Sequence, residues 1–337
     1  MIQAETVSKC DLSRKRHLEK VSKLNEVMGI LNLTKLIDAD LSQNEKDPKI
    51  RFLDLKVDLR FDIPVKVWID CFEGAQRSST CFQCLFLLEP DIITNASLQA
   101  SKKIDRFDAV FAHDPRILRA LPRQKTYLFE HGGTWILPEK ITSHSLDKKL
   151  ESGCVSFVCG GKRKTRGHRL RHEIWKLQTS IKRSRRKFYI SGAFGHGVPR
   201  IEGDDTLILD AKPEAKCVLF EDDIAFHVCI ENVRQKNYFS EKLLDCFLTH
   251  TIPLYWGCPN IDSYFDVRGM ILLGKNSSNV AKETIETINN LLSTSPKVLR
   301  MKMKDAIEEN FQRAKQWINL EKRMQIAIER AIYVRGG

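Results

Sequence analysis

Short apolar runs of strand length alternate with polar loops and helical stretches along this chain of 337 residues. In the first part, such runs cover Val65 to Phe72, Cys84 to Leu88 and Asp108 to Ala112. Apolar runs that alternate with helical segments are typical of βαβ units, in which helices connect parallel strands. The pattern therefore predicts an α/β fold.

The same alternation continues in the second part of the chain. Predicted strands cover Val155 to Cys159, Lys187 to Ser191, Ala225 to Ile230 and Ile252 to Trp256. Between them the spacing predicts helices near 168–182, 213–223 and 241–250, and a long helix near 297–333. Near the N-terminus, 12–38 reads as an amphipathic helix with an apolar stripe opposite basic residues. It either packs on the first domain or lies on a membrane surface.

The length exceeds that of one typical core, so two domains are expected. Proline, serines and lysines make 138–150 the predicted linker. We therefore expect one domain over 1–145, a second over 146–320, and a final helix over 321–337.

One segment concentrates candidate chemistry. Glu231 and Asn232 follow a predicted buried strand, and Ser240 is a natural N-cap for a helix that begins with Glu241 and Lys242. Ligands of open α/β sheets bind at the carboxyl ends of the strands, which is where this segment lies. A lysine in the first turn opposes the helix dipole, so a functional reason for Lys242 is expected.

The same residues carry a family resemblance. Glu231-Asn232, Tyr238 and Glu241-Lys242, followed by IPLYWGCPN, resemble in type and spacing the donor-binding motif of the α-1,3/4-fucosyltransferases, glycosyltransferase family 10. The likeness is strong over 190–270 and weak before 150. It implies a GT-B fold with two Rossmann-like domains facing a cleft. By this analogy the N-terminal domain (1–145) binds the acceptor, the C-terminal domain (146–320) binds the GDP-sugar, and the final helix (321–337) crosses back to the first domain. It also implies GDP-fucose as donor, a glycan or glycoconjugate acceptor, inversion at the sugar carbon, and neither a catalytic metal nor a cofactor.

The resemblance also implies roles on the donor side. Lys242 and Arg171 would hold the diphosphate, the first as an ammonium at a helix N-terminus and the second as a bidentate guanidinium. Arg166 and Arg169 are alternatives to Arg171, because the register there is open.

Four further donor-side roles follow from the same motif. Glu241 would accept hydrogen bonds from the ribose hydroxyls, Tyr238 would line the nucleotide pocket, and Asn232 would bind the donor. Glu231 would lie beside the fucose, where a negative charge stabilises a developing cation.

The general base is expected from the first domain. Glu89 ends the apolar run CLFLLEP, at the carboxyl end of a predicted strand, and the family has a glutamate in a comparable place. The rival carboxylates are Glu73, Asp91, Asp114 and Glu130.

Charge and cysteines refine this picture. The formal charge of +12 favours an anionic partner, and a basic nucleic-acid-binding protein is the alternative from a different class. No recognisable nucleic-acid motif supports that alternative, so no nucleic-acid partner is expected; a transferase of another GDP-sugar is the nearer alternative. The acidic pairs at 204–205 and 222–223 are interpreted as surface rather than as metal ligands. Scattered cysteines, without a signal peptide or membrane span, favour a soluble cytoplasmic protein; peripheral membrane contact stays open.

Overall fold

The computed structural model describes residues 4–8, 65–70, 72, 75–136, 140–141, 145–192, 194–203, 206–210, 213–274 and 278–336. Contacts divide the chain into two compact units. The first comprises Met1–His131, Lys236–Tyr238 and Asn319–Gly337, and the second comprises Gly132–Gln235 and Phe239–Ile318. The amphipathic helix predicted over 12–38 lies outside the described residues.

The described strands of the first unit form one parallel sheet in the order β1-β2-β3-β4-β5. Helices follow β3 and β4, as expected for parallel connections. The elements are β1 (Ala4–Ser8), β2 (Val65–Ile69), β3 (Phe82–Leu87), α1 (Asp91–Thr94), α2 (Ala96–Lys103), β4 (Ala109–Ala112), α3 (Pro115–Ala120) and β5 (Thr126–Leu128).

The second unit contains a six-stranded parallel sheet in the order β11-β10-β9-β6-β7-β8. Its elements are α4 (Leu146–Ser152), β6 (Cys154–Cys159), α5 (Arg166–Lys176), β7 (Arg186–Ser191), β8 (Leu207–Leu209), a 3-10 helix (Pro213–Phe220), β9 (Ile224–Ile230), α6 (Glu241–Leu248), β10 (Ile252–Trp256), β11 (Ile271–Leu272), α7 (Val280–Ser293) and α8 (Pro296–Ala314). The strand order runs outward in opposite directions from the neighbouring pair β6 and β9. This pair is therefore the topological switch point of the sheet.

Each sheet buries apolar side chains on both faces, as parallel sheets do. On the second sheet, α5 and α7 contribute to the core on one face, and α6 contributes Leu243, Leu244 and Phe247 on the other. On the first sheet, the C-terminal helix α9 (Leu320–Gly336) adds Met324 and Ile328 to one face. The α/β class predicted from the sequence is confirmed for both units.

The predicted linker over 138–150 is wrong in its second half. Residues 146–152 form α4, whose Leu146 and Leu150 join the core of the second unit. Lys149 is fully buried on the same helix. The sequence suggested a linker because proline, serine and lysine residues are typical of one, whereas Lys149 finds acceptors inside the protein.

The long helix predicted over 297–333 is also interrupted. The α8 helix ends at Ala314, a 3-10 turn covers Lys315–Trp317, and α9 begins at Leu320. Asn319 provides the new start, because its Oδ1 accepts a hydrogen bond of 2.7 Å from the backbone N–H of Lys322. Along this part of the chain the first unit ends at His131, and residues 132–136 belong to the second unit.

Candidate active site

Five of the predicted donor-side residues lie on the segments that follow β6 and β9. Arg171 is on α5, Glu231 and Asn232 come directly after β9, and Glu241 and Lys242 open α6. The two strands are neighbours at the switch point of the second sheet. Their carboxyl ends therefore bring these side chains to one edge, where α/β proteins bind ligands.

Glu231 is the buried centre of this group. Its side chain accepts two hydrogen bonds of 2.8 Å from Ser240, one from the backbone N–H and one from the hydroxyl. Burial raises the pKa of Glu231, while Lys242 and the Ser240 donors act in the opposite direction. The carboxylate thus ties the end of β9 to the N-terminus of α6.

Ser240 caps α6, as the sequence predicted, and places Lys242 above the same cluster. The Lys242 Nζ lies 3.0 Å from Glu241 Oε1, 3.0 Å from Ser240 Oγ and 3.8 Å from Glu231 Oε2. Burial lowers the pKa of Lys242, but Glu241 and Glu231 outweigh it and the net shift is upward. Lys242 is therefore a charged ammonium whose side chain keeps 29% exposure.

Arg171 braces the strand end from the α5 side. Its guanidinium donates through Nε to the Ile230 carbonyl at 3.1 Å and through Nη2 both to that carbonyl and to Asn232 Oδ1, the latter at 3.0 Å. Arg171 and Asn232, two predicted donor residues, are thus in direct contact. Arg171 therefore uses part of its hydrogen-bonding capacity on the Ile230 carbonyl.

The start of α5 approaches the strand end so closely that only glycine fits at position 167. A Cβ there would lie 1.8 Å from the Glu231 carbonyl oxygen, and the Gly167 N–H donates to the Asn232 carbonyl at 3.1 Å. His168 is buried beside it, and burial together with the charge of Arg171 lowers its pKa to about 3. A neutral imidazole therefore backs the site at neutral pH.

A second buried carboxylate lies further along α6. Asp245 Oδ1 accepts a hydrogen bond from the Thr134 hydroxyl at 2.5 Å and one from the Trp135 N–H at 2.9 Å. The pKa of Asp245 is raised to about 7. Burial is the largest cause and the charge of Glu241 adds to it, while the Thr134 and Trp135 donors and Lys216 act in the opposite direction. Asp245 therefore fastens the strap Gly132–Ile136 to the helix that carries Glu241 and Lys242.

In the first unit, Glu89 follows β3 and is half-buried. Its backbone N–H donates to the carboxylate of Asp70, at 3.2 Å to Oδ1 and 3.1 Å to Oδ2. Among its rivals, Asp114 is the N-cap of α3 and pairs with Arg116 at 2.7 Å, and Glu130 lies 3.9 Å from Arg323. Glu73 lies outside the described residues.

Tyr238 is assigned to the first unit rather than the second. It is buried, and its ring lies 5.0 Å from the ring of His113 and 6.4 Å from that of His131. Its part in a nucleotide pocket stays a prediction, as do the roles assigned to the other donor-side residues and to Glu89.

The sequence analysis did not single out several polar residues at or near the strand ends of the two sheets, namely Asp70, His113, Thr134, His168 and Asp245. For Asp70 and His113 a signal existed, because each directly follows an apolar run, as Glu231 does. The partners of Asp245 lie more than a hundred residues away, so no local pattern indicated them.

Three further features are the acidic clusters, the grouping of metal-ligating residue types and the apolarity of the helices. Asp204 and Asp205 are outside the described residues, while Asp223 pairs with Lys187 at 2.5 Å. Across the described part of the chain, no three His, Cys, Asp or Glu side chains gather at metal-binding distance. Nor does any helix in that part combine the length and apolarity needed to cross a bilayer.

Comparison with known proteins gives one sequence relative and several distant structural ones. No protein-family profile matches the chain. An α-(1,3)-fucosyltransferase of Helicobacter pylori is 37% identical over 46 residues, which are 14% of this chain and 10% of that protein. The match therefore speaks for a short segment, and the activity of the whole relative does not carry over.

Solved structures resemble the chain over most of its length. A crystal structure of an α1,3-fucosyltransferase with GDP-fucose is 15% identical, with a TM-score of 0.46 and coverage of 97% of this chain and 90% of that one. Anabaena HepE in complex with UDP and glucose is 10% identical, with a TM-score of 0.48 and coverage of 96% and 90%. At such identities and scores, no substrate can be inferred from these likenesses.

Proposed function

We propose that this protein is an inverting, metal-independent glycosyltransferase of the GT-B type, which moves L-fucose from GDP-fucose to a hydroxyl of a glycan. The observation that carries the proposal is the grouping of Arg171, Glu231, Asn232, Glu241 and Lys242 at the switch point of the second sheet. The spacing of the motif and the short match to a fucosyltransferase support fucose as the sugar.

The donor side supplies charge compensation. As the bond between the anomeric carbon and the β-phosphate oxygen breaks, GDP leaves with the electron pair. Lys242, charged and partly exposed at the start of α6, would hold the diphosphate together with the N–H groups of that helix. An arriving diphosphate would compete with Glu241 for the ammonium and leave Glu241 available for the ribose hydroxyls.

The sugar and the acceptor involve the two glutamates. Glu231 would act as a fixed negative charge near the developing oxocarbenium ion, and the Ser240 and Lys242 donors favour its ionised form. In the same step the acceptor oxygen bonds to the anomeric carbon from the opposite face. Its proton goes to Glu89, the general base of the proposal.

The test starts with GDP binding, measured by calorimetry. Removal of the Lys242 ammonium by Lys242→Ala should weaken GDP at least about tenfold, which corresponds to about 1.4 kcal/mol. The matched control is Lys148→Ala, which removes the same charge elsewhere in the second unit. The Lys148 side chain is 71% exposed and pairs with Asp222, which precedes β9. The control should bind GDP like the wild type.

GDP release from GDP-fucose, with EDTA present and a panel of glycan acceptors, completes the test. Turnover that is lost in Lys242→Ala and in Glu89→Gln supports both assignments. Turnover of a different GDP-sugar alone would replace fucose. Absence of GDP binding, with DNA binding that survives Lys242→Ala and falls steeply with salt, would replace the enzyme by a nucleic-acid-binding protein.

A further inference from the structure

The carboxyl end of β3 is held by a side chain of the neighbouring strand. The β2 ladder pairs Ile69 with Phe86, and Asp70 continues it with one backbone bond of 2.8 Å to the Phe86 carbonyl. Beyond that point the Asp70 carboxylate, rather than the β2 backbone, accepts the hydrogen bonds of the chain that follows β3. Its Oδ1 accepts from the Leu88 N–H at 3.0 Å, and both oxygens accept from the Glu89 N–H. The Leu88–Glu89 peptide is therefore anchored past the end of the sheet.

Asp70 adopts a conformation that requires a reason. Its φ is +50°, in the left-handed region where only glycine, asparagine and aspartate are common, and its side chain is buried. A buried carboxylate is costly unless its oxygens accept hydrogen bonds, and here the accepted bonds come from Leu88 and Glu89. Strained residues held in this way cluster at functional sites.

The same strand end is held from the opposite side by His113. The buried His113 ring hydrogen-bonds to the Leu88 backbone, and burial lowers its pKa to about 4, so it is a neutral group at physiological pH. Its ring lies 5.0 Å from that of Tyr238, and its carbonyl accepts a bond of 3.2 Å from Asn237 Nδ2. The backbone of Leu88 is thus bound twice. Asp70 accepts from its N–H, and His113, which packs on Tyr238, forms a second hydrogen bond with it.

We infer that Asp70 is a positioning residue for Glu89: it fixes the Leu88–Glu89 peptide so that the Glu89 carboxylate is presented to the acceptor hydroxyl. The inference rests on the proposed function, in which Glu89 takes the acceptor's proton. Asp70 itself acts only through the backbone of Glu89. A displacement of a catalytic group by about 1 Å lowers rates on the order of a hundredfold, so loss of this anchor should be visible in turnover.

Two substitutions separate the carboxylate from the backbone strain. Asp70→Gly removes the side chain and relieves the left-handed strain, while Asp70→Asn tolerates the same φ and keeps one acceptor oxygen for Leu88 and Glu89. The matched control is Asn95→Gly. Asn95 also has a left-handed φ, of 55°, and lies in the same unit, where its backbone N–H donates to the Asp91 carbonyl at the end of α1.

The readouts are kcat and KM for GDP-fucose with an accepted glycan, and the Kd for GDP. We expect Asp70→Gly to lower kcat at least about tenfold while KM for the donor and the Kd for GDP stay within about twofold. Asp70→Asn should recover most of that loss, and Asn95→Gly should match the wild type.

Three results would overturn the inference. The first is a folded Asp70→Gly variant with wild-type kcat. The second is a loss of kcat accompanied by an equal loss of GDP affinity, or one that Asp70→Asn does not recover. The third is an Asp70→Gly variant that does not fold, which would assign Asp70 to stability. A wild type without turnover refutes the proposed function, whereas an active wild type with an indifferent Asp70→Gly variant refutes only the role of Asp70.

Discussion

Two lysines at opposite edges of the second sheet are built into the protein in contrasting ways. Lys149, at the edge where β9 and β10 begin, is fully buried and donates to the carbonyls of Phe220 and Glu221 and to the Thr251 hydroxyl at 2.6–3.1 Å. Lys242, at the edge where β9 ends, contacts the carboxylates of Glu241 and Glu231 and remains 29% exposed.

The difference in partners gives the two amines different electrostatics. Burial lowers the pKa of Lys149 to about 8, with partial compensation from Asp222 and Asp223. At Lys242 the neighbouring carboxylates outweigh burial and raise the pKa. An ammonium that is saturated by neutral acceptors joins segments of the fold, whereas one that is paired with exchangeable carboxylates can receive an anion. The proposed function would thus give the two lysines different roles, in keeping with their different partners.

The largest expected effect is on Lys149. Lys149→Met removes the ammonium donor of the buried Phe220 carbonyl, while the Glu221 carbonyl keeps the Ile224 N–H and the Thr251 hydroxyl keeps the Thr249 hydroxyl as donors. A buried acceptor left without its donor costs about 1–3 kcal/mol, and the two weakened groups add to this. We expect the free energy of unfolding to fall by about 3 kcal/mol, measured by urea denaturation followed by circular dichroism. The neighbouring Lys148→Met, on a side chain that is 71% exposed, should change it by less than about 0.5 kcal/mol. A Lys149→Met variant as stable as its control would show that the amine does not join the segments.

Asp245 extends the comparison to a buried anion near the Lys242 edge. Its folded pKa of about 7 exceeds its ordinary value of 3.8, so the folded protein holds this proton more tightly than the unfolded chain. Its protonated form contributes stability that is present at low pH and is lost as pH rises through about 7. Asp245→Asn removes the charge and keeps an oxygen for Thr134 and Trp135.

Between pH 5 and pH 8 we expect the wild type to lose about 3 kcal/mol more unfolding free energy than Asp245→Asn, since the loss extends over the two pH units below the folded pKa and each unit corresponds to about 1.4 kcal/mol. Denaturation curves at the two pH values measure this difference. Parallel pH dependence in both proteins would mean that Asp245 is ionised at little cost.

The smallest stability effect is expected at Lys242. Lys242→Met should reduce the free energy of unfolding by less than about 1 kcal/mol, because the Lys242 side chain is 29% exposed and Ser240 continues to donate to Glu231. GDP affinity should nevertheless fall, whereas the effect expected of Lys149→Met is a loss of stability. If Lys242→Met destabilises the protein as strongly as Lys149→Met, the distinction between the two edges fails.

The parts of the site that lie close together along the chain were predictable. The fully apolar run that became β9, the cap Ser240 and the first-turn pair Glu241 and Lys242 are local patterns with known geometry. Arg171 was implied only by the family resemblance, and the observed strand order brings it to the same strand ends.

The remainder depends on contacts distant in sequence. Lys149 meets acceptors about 71 to 102 residues away, and Asp245 meets Thr134 at a separation of 111 residues. Neither partner is encoded in a periodic pattern. Asp70 illustrates a different limit, because an aspartate after a strand indicates a polar strand end but not a left-handed φ or the anchoring of another strand.

The strap Gly132–Ile136 has a consequence for dissecting the molecule into separately expressed pieces. Its Thr134 and Trp135 supply the donors to Asp245, the Gly132 N–H donates to the Phe239 carbonyl at 3.2 Å, and Ile136 joins the core beside α6. A fragment that begins at residue 146 would keep the whole second sheet yet leave the Asp245 carboxylate without these two donors and the core without Ile136. The first residue of a fragment that keeps the second unit intact is therefore set by this strap at Gly132, rather than by the α4 helix that precedes β6.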